Sequence, residues 1–220
     1  MWGQFATIML LAAAPASAGD APGLDDDVLT ELNWVRAHPR EYAEELRDYR
    51  DRFDGHIVYS DEAPDGVMTK EGAAAVDDAI AFLERQAPLQ PLAASQVLAG
   101  GADDLVADQR ASGHIGHYTM AGLNPGARVK RHGGDIYVGE VIAYGQPNPR
   151  SIVRQFIVDD GIARRGHRFL IFSGMYNFAG TRCGPHPYYG AMCVIDLAAT
   201  PDGTPKLPAN ADGVTRLSSN

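Results

Sequence analysis

A layered domain of mixed helices and strands, α+β in class, is encoded in the order of this chain. Apolar residues recur at helical spacing through its first half. β-Branched and aromatic runs cluster in the second half, and Gly and Pro punctuate between them. The length of 220 residues suits one domain with a real core. Hydrophobic residues make up 45% and charged residues 21%, the balance of a globular chain. A formal charge of −9 argues against nucleic acid, and against an anionic membrane surface as the main partner. Locally basic patches remain open, with Arg164, Arg165 and Arg168 as the candidates.

Residues 1–18 read as a cleaved signal peptide. Phe5 to Ala14 is too short an apolar run to span a bilayer, and Ala16-Ser17-Ala18 has the small-x-small form of a cleavage site. Met1 to Gln4 lacks Lys and Arg, so an uncleaved anchor is the alternative. With no other long apolar run, no transmembrane segment is expected in the mature chain. The expected location is extracellular or periplasmic. The domain is expected over 19–199, with a flexible C-terminal tail over 200–220.

Within the domain, Leu24, Val28, Leu29, Leu32 and Val35 predict a helix, with Asp25 to Asp27 suiting its positive end. Pro39 should break it near His38, leaving a second helical piece that ends near Arg52. Asp54 to Asp65 is polar and turn-rich, and reads as a loop. Thr69 to Gly72 opens a helix through Ala73, Val76, Ile80 and Leu83. Pro88 to Leu92 is a linker, after which Ser95 is the expected N-cap of a helix ending near Gly113. Met120 to Gly126 reads as loop. Ala127 to His132 forms a short basic helix closed by Gly133 and Gly134. Tyr137 to Tyr144 is a strand, and Ser151 is the expected cap of a helix carrying Ile152, Val153, Phe156 and Ile157 on one face. Asn177 to Cys183 and Ala191 to Leu197 are further strands. An exported chain with Cys183 and Cys193 as its two cysteines most simply closes one disulfide between them.

Chemistry concentrates in three separate segments: Gly113-His-Ile-Gly-His117, the strand containing Glu140, and Asp159-Asp160-Gly-Ile-Ala-Arg-Arg-Gly-His167-Arg168. Histidines and acids converging from such segments make a metal site, an acid–base site or a hydrogen-bonded structural cluster. At Gly116-His117, Val138-Gly-Glu140-Val-Ile-Ala-Tyr-Gly145 and Gly166-His167-Arg168 the sequence resembles the CAP superfamily. This superfamily, also called SCP, takes in cysteine-rich secretory proteins, antigen 5 and pathogenesis-related proteins. Leu32-Asn33-Trp-Val-Arg36-Ala-His-Pro39 and Pro88-Leu-Gln-Pro-Leu92 are similar to its bacterial YkwD-like branch. The resemblance runs from about Leu29 to Ala198.

That resemblance implies a three-layer α-β-α sandwich with a cleft lined by two histidines and two acids. His117 and His167 match the histidines, and Glu140 matches the first acid. For the second, Asp159 and Asp160 both remain candidates: counting from Phe156 gives Asp159, whereas Asp160 projects into the middle of the apolar face. Val141 departs from the asparagine of many members. His117, His167 and Glu140 are the candidate ligands for a divalent metal, Zn²⁺ first. His114 lies three residues before His117 and can share its face. His132 and His186 read as ordinary loop residues, and Tyr118, Tyr144, Tyr188 and Tyr189 can line an apolar groove.

No nucleophile elbow, His-Glu-x-x-His, phosphate loop or dinucleotide fingerprint is present. Resemblance implies an extracytoplasmic binding module for a small apolar ligand (a sterol or fatty acid) or a cell-surface component. The alternative is a metal-dependent hydrolase or protease in which Glu140, Asp159 and His167 act on the same cleft. Intact mass of exported protein tests the leader and the cysteines together. The expected chain begins at Gly19 and lacks two hydrogens; a retained leader or two titratable thiols would contradict these expectations.

Overall fold

The computed structural model describes residues 23–61, 63–146 and 148–206. The expected leader, 1–18, and the chain from 207 onward lie outside them. Two helices open the fold, α1 (Leu24–Ala37) and α2 (Pro39–Arg50), separated at His38 because Pro39 occupies the first position of the second. The segment expected as a loop is instead a small antiparallel sheet of β1 (Phe53–Asp54), β2 (Ile57–Ser60) and β3 (Ala63–Met68). Phe53 pairs with Val58, and Ile57 with Met68. The polar flanks conceal a short β-branched and aromatic run, Ile57-Val58-Tyr59, which is all so short a strand needs. Gly66 sits at φ +81°, and a Cβ there would lie 2.4 Å from Ile57 Cγ2.

Helix α3 (Ala73–Leu83), the two-residue strand β4 (Ala93–Ala94) and helix α4 (Gln96–Ser112) follow. Ser95 caps α4 as expected, its hydroxyl accepting from the Leu98 N–H at 3.2 Å. Helix α5 (Pro125–Arg131) begins two residues earlier than expected, because Asn124 caps it and Pro125 suits its first turn. The same pairing corrects the cap after strand β5 (Val138–Tyr144). Asn148, rather than Ser151, caps α6 (Pro149–Val158), accepting the Ser151 N–H at 2.9 Å. A 3₁₀ turn at Ala163–Arg165 leads into α7 (Gly166–Ile171). The chain then forms a hairpin of β6 (Phe178–His186) and β7 (Gly190–Ala198).

The main sheet has the order β4-β6-β7-β5, with β4 parallel to β6 and the other pairs antiparallel. Strand alternation gives it two apolar faces. Val141, Ala143, Ala179, Ile195 and Leu197 pack with α1, α2, α3, α6 and α7. Ile142, Met192 and Val194 pack with Ala102, Leu105 and Val106 of α4, and Ala198 packs with Leu98 and Val129. The result is the α-β-α sandwich. Helix α4 approaches β6 so closely that a Cβ on Gly180 would fall 2.0 Å from the Ala99 nitrogen.

Buried polar side chains join distant segments. Asn33 donates to the Leu92 carbonyl at 3.0 Å and accepts the Leu92 N–H at 2.7 Å, so its amide imitates a neighbouring strand. Arg36, 2% exposed, donates to the carbonyls of Gln90 and Ile171. Residues 200–204, expected to begin the free tail, are held instead. The carbonyls of Asp202 and Gly203 accept the N–H groups of Asp135 and Tyr137 at 2.7 and 3.1 Å.

Cys183 and Cys193 form the disulfide, facing each other in the register of β6 and β7. With the cysteines 10 residues apart in sequence, replacing both with Ala is expected to cost about 2–3 kcal/mol in urea unfolding, the chain-entropy value for a short loop. An unchanged unfolding midpoint would show that strand pairing alone already imposes the constraint.

Candidate functional site

The cleft forms where the C-terminal end of α6, the start of α7, the end of β5 and the loop after α4 meet the small β1–β3 sheet. His117 reaches it from the loop. Tyr144 and Gln109 hold that loop in place. The Tyr144 hydroxyl accepts the Gly116 N–H at 2.9 Å and donates to Gln109 Oε1 at 2.8 Å, while Gln109 Nε2 donates to the Gly116 carbonyl at 2.6 Å. His117 Nδ1 then meets Glu140 Oε1 at 2.8 Å. The imidazole is half exposed, and the Glu140 side chain is buried.

The second pair grows from a helix end. Asp159 closes α6 in the left-handed region, at φ 56°, which turns its carboxylate back towards α7. That carboxylate, buried in the fold, accepts from His167 Nδ1 at 2.6 Å and from the His167 N–H at 2.9 Å. Phe156 packs against the same ring, with centroids 5.7 Å apart. Asp160 points elsewhere, its two oxygens accepting the N–H groups of Lys70 and Glu71 at 2.7 and 2.8 Å. The acid that faces a histidine is therefore Asp159, while Asp160 ties α6 to the start of α3. Glu71 is held in turn by Arg165, and that ion pair lowers its carboxyl to about 2.

Glu140 stands in a buried cluster that the sequence reading did not assemble. Arg128, on the short basic helix α5, is fully buried. It donates through Nη2 to Glu140 Oε2, through Nε to the Gly101 carbonyl at 2.9 Å, and through Nη1 to the His117 carbonyl at 2.8 Å. Directly across the ladder from Glu140 lies Asp196, fully buried, with neither carboxylate oxygen hydrogen-bonded among the described residues. Burial, reinforced by the neighbouring Glu140 charge, raises the Asp196 carboxyl well above its usual range. The upward shift favours the neutral form of Asp196 beside the Glu140 carboxylate that Arg128 binds. Its sequence signal was an acid inside the apolar run Cys193-Val-Ile-Asp196-Leu-Ala.

This arrangement bears on the expected metal set. Among the described residues no three His, Cys, Asp or Glu side chains are grouped to hold an ion. Glu140 has one oxygen on His117 and the other on Arg128, so it does not fit as a ligand alongside the two imidazoles. What the pairs do provide is orientation: each ring is fixed through Nδ1 by a carboxylate, which leaves Nε2 as its available nitrogen.

His117, Asp159, Asp160 and His167 line a cleft of about 890 Å³. Tyr49, Phe53, Val58, Val67 and Met68 line the same cleft and supply apolar surface. Of these residues, Val58 belongs to the segment expected as a loop. Tyr144 lines the cleft, whereas Tyr188 and Tyr189 stack around His186 at the hairpin tip. His186 is a buried strand residue rather than a loop one, and faces the His114 carbonyl at 3.1 Å.

The family model for the cysteine-rich secretory protein family, CAP, matches residues 29–196. Among curated proteins no relative matches. Solved structures with similarity include an extracellular SCP-domain protein of Bacillus anthracis str. Ames, at 17% identity and a TM-score of 0.42, covering 57% of this chain and 37% of that one. An outer surface protein of Borrelia burgdorferi has 14% identity and a TM-score of 0.42, with 66% and 97% covered. A cysteine-rich secretory protein of Staphylococcus aureus has 12% identity and a TM-score of 0.35, with 56% and 36% covered. The chain thus spans little more than a third of the Bacillus protein.

Asp196 generates a pH prediction. A carboxyl raised in the folded state contributes stability that is complete below its unfolded pKa, near 3.8, and is lost as pH rises through the folded value. Asp196→Asn keeps the shape and cannot ionise. Its melting temperature is expected to fall less than that of the wild type as pH is raised. Parallel melting curves for the two proteins across acid and alkaline buffers would place an ionised carboxylate at Asp196.

Proposed function

The chain belongs to the cysteine-rich secretory protein (CAP) family, and on that footing we propose that it is an exported binding module whose cleft takes a small amphiphile. A fatty acid or a sterol fits this description. The observation that carries the reading is the mixed lining of the cleft of about 890 Å³, in which two histidine–carboxylate pairs share the walls with aromatic and aliphatic side chains. That volume lies in the range of small-molecule sites, about 300–1,000 Å³. The ligand's polar head is placed at His117 and His167, and its apolar body along Phe53, Val58 and Val67. Among the described residues no helix is long and apolar enough to cross a membrane, and export rests on the leader over 1–18.

A divalent metal, Zn²⁺ first, enters this reading through Nε2 of His117 and His167 alone. Asp159 and Glu140 act behind the rings as their orienting carboxylates. Two imidazoles bind Zn²⁺ more weakly than the three protein ligands common in catalytic sites. The rival reading, a metal-dependent hydrolase or protease, would draw its general base from the Nε2 nitrogens of His117 and His167, since Glu140 is engaged at both oxygens.

Titration with a fluorescent fatty acid tests the proposal. Val67→Asp places a charge on the apolar wall at a residue 50% exposed. It is expected to weaken binding at least about tenfold, or about 1.4 kcal/mol, without lowering the melting temperature. In calorimetry with Zn²⁺, His117→Ala and His167→Ala should lose binding while His132→Ala retains it. Binding should also weaken at acid pH, since protons compete for the same nitrogens. Absence of saturable lipid binding, together with chelator-sensitive product formation from a peptide or ester, would establish the hydrolase instead.

A further inference from the structure

A second concavity, of about 440 Å³, opens between α3 with its following turn and α7. We propose that it binds a phosphate-bearing anion, gripped by Arg85 and Arg164. Arg85, Arg164, Arg165 and Arg168 all line it, against Asp78 as the lining acid. Asp78 is already shared, its Oδ2 lying 3.0 Å from Arg165 Nε and 3.1 Å from Arg168 Nη1. Arg165 is further neutralised by both oxygens of Glu71, at 2.6 and 2.7 Å. Arg168 is buried and donates to the carbonyls of Ile157 and Val158 at 2.6 and 3.2 Å. These two arginines build the wall.

Arg85 and Arg164 are left over. Both are exposed, and neither side chain makes an ion pair or hydrogen bond among the described residues. Arg164 also holds the left-handed conformation, at φ 59°, which is unfavourable for a non-glycine residue. Arg165 shares that conformation, at φ 51°, and its ion pairs offset the cost. Arg164 has no such internal contact, so its strained backbone presents an uncommitted guanidinium at the rim of the groove.

The remaining surfaces are aromatic. Phe82 lies beneath the Arg168 guanidinium at 5.4 Å and against Phe172 at 5.3 Å, while Phe169 is 71% exposed. Low-dielectric walls focus the field of the two free cations, and the guanidinium fork matches phosphate oxygens in pairs. In a chain of net charge −9, this local excess of positive charge stands apart from the general field. Two sources present the same chemistry: a soluble phosphate monoester, and a phospholipid headgroup for which Phe169 supplies an apolar neighbour.

Calorimetry at low salt with inorganic phosphate and glycerol phosphate, and co-sedimentation with phosphatidylcholine vesicles with and without phosphatidylglycerol, separate these sources. Saturable binding is expected in at least one arm. Arg85→Gln and Arg164→Gln should each weaken it at least about tenfold with unchanged melting temperature. Arg47→Gln, on α2 and already paired with Glu44 and Glu84, should leave it unaltered. Binding to phosphatidylglycerol vesicles alone assigns the headgroup, and binding of the soluble esters alone assigns the free anion. No saturable binding in either arm, or equal binding by all three variants, would overturn the proposal.

Discussion

The buried ion pair of Arg128 and Glu140 is the contact on which the cleft depends. One guanidinium ties the carbonyl of Gly101 in α4, the carbonyl of His117 and the carboxylate on β5 into a single unit. Without it the loop carrying His117 would lose one of its anchors, and Glu140 would be a buried charge with a half-exposed histidine as its remaining partner. Breaking such a pair by removing one partner costs about 3–5 kcal/mol, because the survivor stays desolvated. The upward shift of Asp196 fits the same logic: a second charge at that depth would share the one guanidinium that Glu140 already engages.

The two histidines are therefore positioned by different means. His117 is held from behind by a side-chain cluster in the layer of α4 and α5. His167 is held by a helix end, since Asp159 both closes α6 and receives the first N–H groups of α7. The first arrangement resists perturbation through packing, and the second through backbone geometry. The Asp160 and Glu71 contacts couple the His167 end to the start of α3. The two histidine–carboxylate pairs are thus pinned to both outer layers of the sandwich.

Most of the layer order was legible because it rests on local signals. Pro39, the Ser95 cap and the β-branched run of β5 each announce an element within a few residues. Resemblance found the cleft pairs, since His117, Glu140 and His167 sit in recognisable short motifs. What stayed hidden was of longer range. Arg128 looked like one more surface cation of a basic helix, and only the fold brings it beneath β5. The β1–β3 sheet escaped notice because its strands are short and flanked by turn-forming residues, yet it supplies the apolar wall. The choice between Asp159 and Asp160 needed the left-handed turn at the end of α6, which no periodicity predicts. Asn33 with Leu92, and Arg36 with Gln90, explain why two motifs far apart in sequence belong together.

The contact between α1 and the last hairpin has a consequence for how the chain comes into being. Asp25 accepts the Cys183 N–H at 2.7 Å across 158 residues of sequence, and the first helix buries its apolar stripe partly on β6. As the polypeptide emerges from the ribosome, its earliest helix must wait, uncovered, for one of the last strands. Folding is thus posted to the end of synthesis, a topology that is slow to form and exposed to aggregation meanwhile. A chain with no early folded core stays open to the machinery that handles nascent polypeptides until its synthesis is nearly complete.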